Sequence, residues 1–260
     1  MHLFLSPHAD DAALSCGGQI ATLTRSGERV IIFTVMAGDP PVGFMPTDFT
    51  RELHERWNVT DDTVIAARRN EDSQAARMLG AEIKFGPYAD AVYRVNPVDN
   101  TPLYPDDKTI FGEVQPNDPV REAKRAAVIQ VIMKLFELGN DDVVHAPLGV
   151  GNHVDHQLVR DMGKAIAQWR PNIPLYFYDD YPYSLKGQHV IKAAANALEV
   201  DVVRTLRPVD SAAIDAKIAA VGCYKSQLSS FWDTPNKMAR EIRAFTNQVG
   251  GEGEWHLLNN

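Results

Sequence analysis

Two short stretches concentrate the residue types that could do chemistry. In SPHADDAALSCGG (6–18) an apolar run, Leu3–Leu5, gives way at once to His8, Asp10 and Asp11. Adjacent carboxylates repel each other unless positive charge sits beside them. A metal ion would supply that charge. A solvated turn would also tolerate the pair, and so would a helix start that uses the aspartates as caps. The second stretch, HAPLGVGNHVDHQLVRD (145–161), lies far along the chain. Gly149 and Gly151 permit a closely approaching loop, and His153, Asp155 and His156 then arrive together. A catalytic zinc takes three His or carboxylate ligands and keeps a fourth position for water. It lowers the pKa of that water to about 7 and polarises a carbonyl. The two stretches hold more groups than one ion needs. The surplus is what hydrolysis requires: a base, an acid and a group to orient a histidine.

These groups act together only if the fold brings the stretches together. Leu3–Ser6 reads as a buried strand and Ala12–Arg25 as a helix, with Ala13, Cys16, Ile20 and Leu23 on one face and Gly27 beyond its end. Arg29–Ala37 is a β-branched run expected to be buried on both faces. Helices are predicted over 61–80, 120–138 and 154–169, and strands over 82–85, 142–147 and 173–178. Further on, a strand is expected over Val200–Leu206 and helices over Ser211–Ser226 and Thr234–Gln248. This alternation predicts an α/β fold, a Rossmann-like three-layer α/β/α arrangement with a mostly parallel sheet. Ligands in such sheets bind outside the carboxyl ends of the strands, where the strand order reverses. With the order 3-2-1-4-5, the two stretches meet at the carboxyl ends of the first and fourth strands. The segment GDPPVGFMPTD (38–48) reads as loop. Residues 87–118 lack periodicity, and a loop of that length is expected to be functional or an inserted arm. His145 is expected to pack in the core, Cys16 to pack as a small apolar residue, and Tyr178–Asp180 to form a rim or a turn. His2, His54, His189 and His256 have no partners in the sequence.

The chain has 260 residues, 45% of them hydrophobic, with no repeat or linker, and is expected to form a single domain over 1–260. A net charge of -8 argues against nucleic acid or an anionic membrane as the main partner. No apolar run approaches the roughly 18 residues of a membrane span. The start lacks the basic region of a signal peptide. The two cysteines, Cys16 and Cys223, form neither a metal spacing nor a disulfide framework. Together these features predict a cytoplasmic protein. Gly17–Gly18 stands without a G-x-G-x-x-G, which argues against a nicotinamide cofactor.

PHADDAALSCGG and GNHVDHQLV together resemble the PIG-L/LmbE-like deacetylase family, whose signature runs roughly [AS]HPDD, a glycine pair, then HxDH. RRNEDSQAARMLGAE (68–82), YFYDDYPY (176–183) and KIAAVGCYKSQ (217–227) resemble further family segments. Ala9 and Ala12 depart from the usual proline and acidic residue. The resemblance implies a zinc enzyme that removes acetyl groups from N-acetylglucosaminyl compounds. It implies His8, Asp11 and His156 as ligands of one Zn2+ ion, for which Fe2+ is an alternative. It also implies Asp10 as general base, His153 as stabiliser of the oxyanion, and Asp155 as the carboxylate that orients and charges His153. Arg68 is expected to reach the substrate, an amino sugar. Segments 38–60 and 87–118 are expected to wall the site, with Phe44, Trp57, Tyr93 and Tyr104 suited to stacking on a sugar face. The competing functions are a different metallohydrolase, such as an esterase or phosphoesterase using two metals, and a non-catalytic sugar-binding protein. Oligomeric state has no signature in the sequence.

Overall fold

Side-chain alternation along the first strands sets the layering. Leu3, Leu5, Ile31 and Phe33 enter one apolar core. Phe4, Val30 and Ile32 enter another on the opposite face, as a period of two requires. The structure, a computed structural model, describes residues 1–258. In chain order the first half comprises β1 (His2–Ser6), α1 (Asp11–Arg25), β2 (Val30–Thr34), α2 (Asp48–Trp57), α3 (Val64–Leu79), β3 (Glu82–Phe85), α4 (Asp107–Ile110) and α5 (Ala126–Leu135). The second half comprises β4 (Val143–Pro147), α6 (Val154–Trp169), β5 (Leu175–Tyr178), α7 (Gln188–Asn196), β6 (Val202–Arg207), α8 (Ser211–Val221), α9 (Lys225–Leu228), α10 (Pro235–Val249) and β7 (Glu252–Leu257).

The seven strands lie in the order β3-β2-β1-β4-β5-β7-β6. The first five run parallel, with Leu3 beside Ile31 on one side and Val144 on the other. β7 pairs antiparallel with both β5 and β6. The expected order 3-2-1-4-5 holds, and β1 and β4 are neighbours at the switch point. Residues of α5 and α6 fill the core on one face, and those of α1, α3, α8 and α10 the core on the other. No helix among the described residues is long and apolar enough to cross a membrane.

Several expectations change in detail. The helix expected over 120–138 is a 3-10 turn (Pro119–Lys124) followed by α5, with Arg125 extended between them (φ -67, ψ 146). Val120, Ala123, Ile129 and Ile132 all enter one core. In an unbroken α-helix Ile129 would stand about half a turn round from Val120, at roughly 100° per residue. The break removes that conflict. Residues 38–60 are not all loop, because α2 lies within them. Its Leu53 and Trp57 join Val64, Tyr93, Tyr104, Ile110 and Val154 in a third, smaller core. His145 is buried and stacks on Phe4 at 4.1 Å. Cys16 is buried beside Ala13 and Ile20.

Candidate active site

The turn between β1 and α1 is held by its own polar groups. Ser6 Oγ donates to the His8 carbonyl (2.7 Å) and accepts from the Ala12 amide (3.1 Å). The His8 amide donates to Asp11 Oδ2 at 2.8 Å. Asp10 occupies the N-cap position of α1 with φ 119 and ψ -34, and its side chain makes no capping hydrogen bond. Simple capping therefore does not explain the aspartate pair. A non-glycine residue held at that φ is strained, and such strain gathers at functional sites.

Across the switch point, α6 begins directly after His153. His8, Asp10, Asp11, His153, Asp155 and His156 are all buried. Asp11 Oδ2 lies 3.1 Å from His8 Nδ1 and 3.4 Å from His156 Nε2. The ligand atoms of His8, Asp11 and His156 all lie within 4.8 Å of one another. His156 Nε2 is buried without a hydrogen-bond partner. Ligands about 2.0–2.1 Å from a tetrahedral zinc stand roughly 3.3 Å apart, so these spacings and this donor set fit a divalent ion. The far nitrogen of each histidine is taken by a carboxylate. Asp155 Oδ2 sits 2.9 Å from His8 Nε2, and Asp180 Oδ1 sits 2.6 Å from His156 Nδ1. Such partners fix the tautomer and aim the other nitrogen at the metal.

The electrostatics agree with a site shaped for a cation. Burial alone would depress His8 and His156. The carboxylates of Asp90, Asp11 and Asp155 instead hold His8 well above the ordinary histidine range, and Asp11 and Asp180 lift His156 to about 10. Burial, reinforced by the charge of Asp11, pushes the Asp10 carboxyl well up, while Arg68 and His8 oppose it. Burial and then the positive charge of His8 hold His153 well below its usual value. His153 Nδ1 accepts from the Asp155 amide at 3.2 Å, which leaves Nε2 as the protonated nitrogen of a neutral ring.

One assignment changes, and Arg68 gains protein partners. The Asp155 carboxylate does not orient His153. It hydrogen-bonds His8 and the Ala91 amide (3.0 Å) and pairs with Arg94 at 2.5 Å. The hydrogen bond between Asp155 and the His153 ring comes from the Asp155 backbone amide, while the carboxylate stays close enough to raise His153 electrostatically. Arg68 is partly buried and lines a small cavity with Ala9, Asp90 and Tyr93. Its terminal nitrogens engage Asp90 (3.3 Å) and the Ala9 carbonyl (3.2 Å), and its guanidinium lies over the Trp57 ring. It braces the back of the β1–α1 turn. The wall aromatics differ as well. Tyr93 and Tyr104 are fully buried and Trp57 nearly so, with Tyr93 bonded to His54 and Tyr104 to Asp118. Phe44 packs edge-on against Tyr93.

Residues that sequence reasoning missed surround the cluster. Asp180 was legible only as part of an acidic pair following a strand, yet it also accepts from the Gly149 and Val150 amides, each at 2.8 Å. Asp90 lies 3.7 Å from His8 Nε2. Arg94 also faces Asp118 at 3.1 Å, close enough to neutralise it although not aligned as a hydrogen bond. Asp90 and Arg94 gave no signal, because the segment carrying them has no periodicity.

Comparison with known proteins follows this geometry. Residues 3–167 match the PIG-L family, described as GlcNAc-PI de-N-acetylase. The chain is 30% identical to a 2'-N-acetylparomamine deacetylase of Niallia circulans over 87% of its own length and 80% of that protein's. It is 34% identical to a 2'-N-acetylparomamine deacetylase of Streptomyces fradiae over 79% of its own length, spanning 62% of that protein. Its fold is similar to that of a zinc-inhibited form of a teicoplanin deacetylase, with TM-score 0.83 and 24% identity over 100% of this chain and 98% of that one. It is also similar to an A40926 pseudoaglycone deacetylase, with TM-score 0.73 and 27% identity over 99% and 96%.

Proposed function

The chain belongs to the PIG-L family of de-N-acetylases, and on that premise we propose that His8, Asp11 and His156 hold one zinc ion while Asp10 and His153 act on the acetamide of an N-acetylglucosamine-type sugar. The enzyme is a hydrolytic N-deacetylase, and the family is metal-dependent. The observation that carries the reading is His156. Its Nδ1 is bound to Asp180, and its buried Nε2 faces Asp11 at 3.4 Å with no hydrogen-bond partner among the described residues. When bound, the ion supplies a Lewis acid for the amide carbonyl and acidifies a water.

The protein's own groups do the rest. Asp10, whose carboxyl is pushed up by burial and by Asp11, accepts the proton lost by the attacking water. His153, neutral and protonated on Nε2, donates a hydrogen bond to the oxyanion that forms as the carbonyl carbon becomes tetrahedral. The proton that Asp10 took from the water is the one it returns to the nitrogen as the C–N bond breaks. Acetate and the free amino sugar are the products. Arg68 and Asp90 support this chemistry from behind the turn. The two-metal reading loses support at the group formed by His8, His153 and Asp155, since the Asp155 carboxylate is already neutralised by Arg94.

The test is metal content together with acetate release from N-acetylglucosamine and 2'-N-acetylparomamine. Wild type is expected to hold one zinc per chain, lost in His8→Ala and His156→Ala. Asp10→Asn is expected to keep its zinc and lose roughly 10²–10⁴ in rate. Near-normal turnover by zinc-loaded Asp10→Asn would remove Asp10 as base. Failure of the wild type to take up any metal on reconstitution would remove the catalytic reading.

A further inference from the structure

Phe111 is the large apolar side chain that the fold leaves exposed at the edge of the catalytic cluster. A lone exposed hydrophobe ordinarily needs no explanation. This one differs in how firmly it is held and in what it faces. Asp106 and Thr109 close α4 with a reciprocal capping box. Ile110 turns into the third core, 4% exposed, and Phe111 turns outward, 38% exposed. The Phe111–Gly112 backbone is then tied to the loop and helix that carry His153. Asn152 Nδ2 donates to the Phe111 and Gly112 carbonyls (3.1 and 3.0 Å), and Gln157 Nε2 donates to the Gly112 carbonyl (2.9 Å). Asn152 itself sits in the left-handed region, at φ 64. The Phe111 ring meets His153 edge-on at 5.3 Å and Tyr183 at 5.9 Å. Tyr183 in turn stands edge-on to His156 at 5.6 Å.

We infer that Phe111, backed by Tyr183, is a specificity-determining wall that receives the apolar C–H face of the pyranose ring bearing the acetamide. This rests on the proposed deacetylation, because it is the oxyanion role of His153 that puts the acetamide, and hence its ring, next to Phe111. Flat aromatic faces suit such partners because they offer a large apolar area at fixed orientation. The ring interacts with the sugar and not with the acetyl carbon, so its contribution belongs to sugar binding and not to the chemical step.

Zinc-loaded Phe111→Ala should raise KM for N-acetylglucosamine or 2'-N-acetylparomamine about five- to tenfold, with kcat changed less than about twofold. Competitive inhibition by acetate, which has no ring, should stay the same, and Phe111→Trp should restore KM. An unchanged KM would overturn the inference. So would a parallel loss of acetate binding or of zinc, which would mean that Phe111 merely props His153. Calorimetric binding of the same sugars to Asp10→Asn and to Asp10→Asn/Phe111→Ala reads the contact without turnover. A five- to tenfold weaker Kd in the double variant supports the wall even if wild type releases no acetate, in which case the proposed activity alone fails. Equal binding, or none, overturns the wall whether or not acetate is released.

Discussion

Each of the two candidate ligand histidines has its outer ring nitrogen on a supporting carboxylate, Asp155 for His8 and Asp180 for His156, with the other nitrogen turned to Asp11. Asp180 is the more informative partner because its second oxygen is held by two backbone amides. In Asp180→Asn the side-chain carbonyl still accepts from Gly149 and Val150. The amide NH2 then faces His156 Nδ1, driving the ring proton to Nε2, the atom aimed at the metal. Zinc affinity, measured by chelator competition, should fall about 10–100-fold. Unchanged affinity would show that Asp180 only braces the loop. His8, Asp11 and His156 were legible in the sequence because each lies in a short dense motif next to a strand end. The partners of those residues were not. Asp180 followed a strand without a motif, and the reach of Asp155 to His8 instead of His153 depends on Arg94, which no spacing rule places there.

At the scale of elements, the segment between β3 and α5 brings a buried positive charge to the His–Asp cluster. It places Arg94 between Asp155 and Asp118, with the guanidinium over the Tyr104 ring. Arg94→Met removes the charge and leaves two buried carboxylates facing each other. Urea unfolding should show a loss of roughly 3–5 kcal/mol. Arg94→Lys should not restore it fully, because one ammonium cannot span both partners as a fork does. A loss below about 1 kcal/mol would mean that one of the carboxylates is held neutral. The elements around the sheet were largely readable, since β1 and β2 are short continuous apolar runs and α6 and α10 are helix-length segments with a buried face. α2 was hidden by the glycine- and proline-rich run before it, although Phe49, Leu53 and Trp57 lie at the i, i+4 spacing of a helix face. β7 was hidden because Gly253 interrupts EGEWHL and its pairing partners are distant in sequence.

Across the whole molecule, one buried acid links stability to pH. Asp72 on α3 accepts from Thr34 Oγ1 on β2 (2.5 Å) and from the Tyr224 hydroxyl before α9 (2.6 Å). Burial pushes its carboxyl up to about 6 against those hydrogen bonds. The native state therefore holds this proton more tightly than the unfolded chain does. The contribution to stability is fully present below about pH 4 and is lost as pH rises through 6, amounting to roughly 3 kcal/mol. The difference in unfolding free energy between wild type and Asp72→Asn should shift by about 2 kcal/mol between pH 4.5 and pH 7.5, with wild type relatively weaker at the higher pH. A constant difference would show that Asp72 ionises in the native state as it does in the unfolded chain.

The position of β7 has a consequence for how the molecule is made. This last strand lies inside the sheet, between β5 and β6, and its Glu252 accepts from the Gly18 and Gln19 amides of α1 and pairs with the buried Lys217. On the ribosome, where domains fold as the chain emerges, every candidate zinc ligand and both supporting carboxylates are out by residue 180. The exposed flank of β5 must then wait for residues 252–257 before it is covered, and an unpaired strand edge invites association with other chains. Loading the ion early would steady the half of the molecule already synthesised during that interval, so zinc supply during expression should govern the soluble yield of this protein as well as its activity.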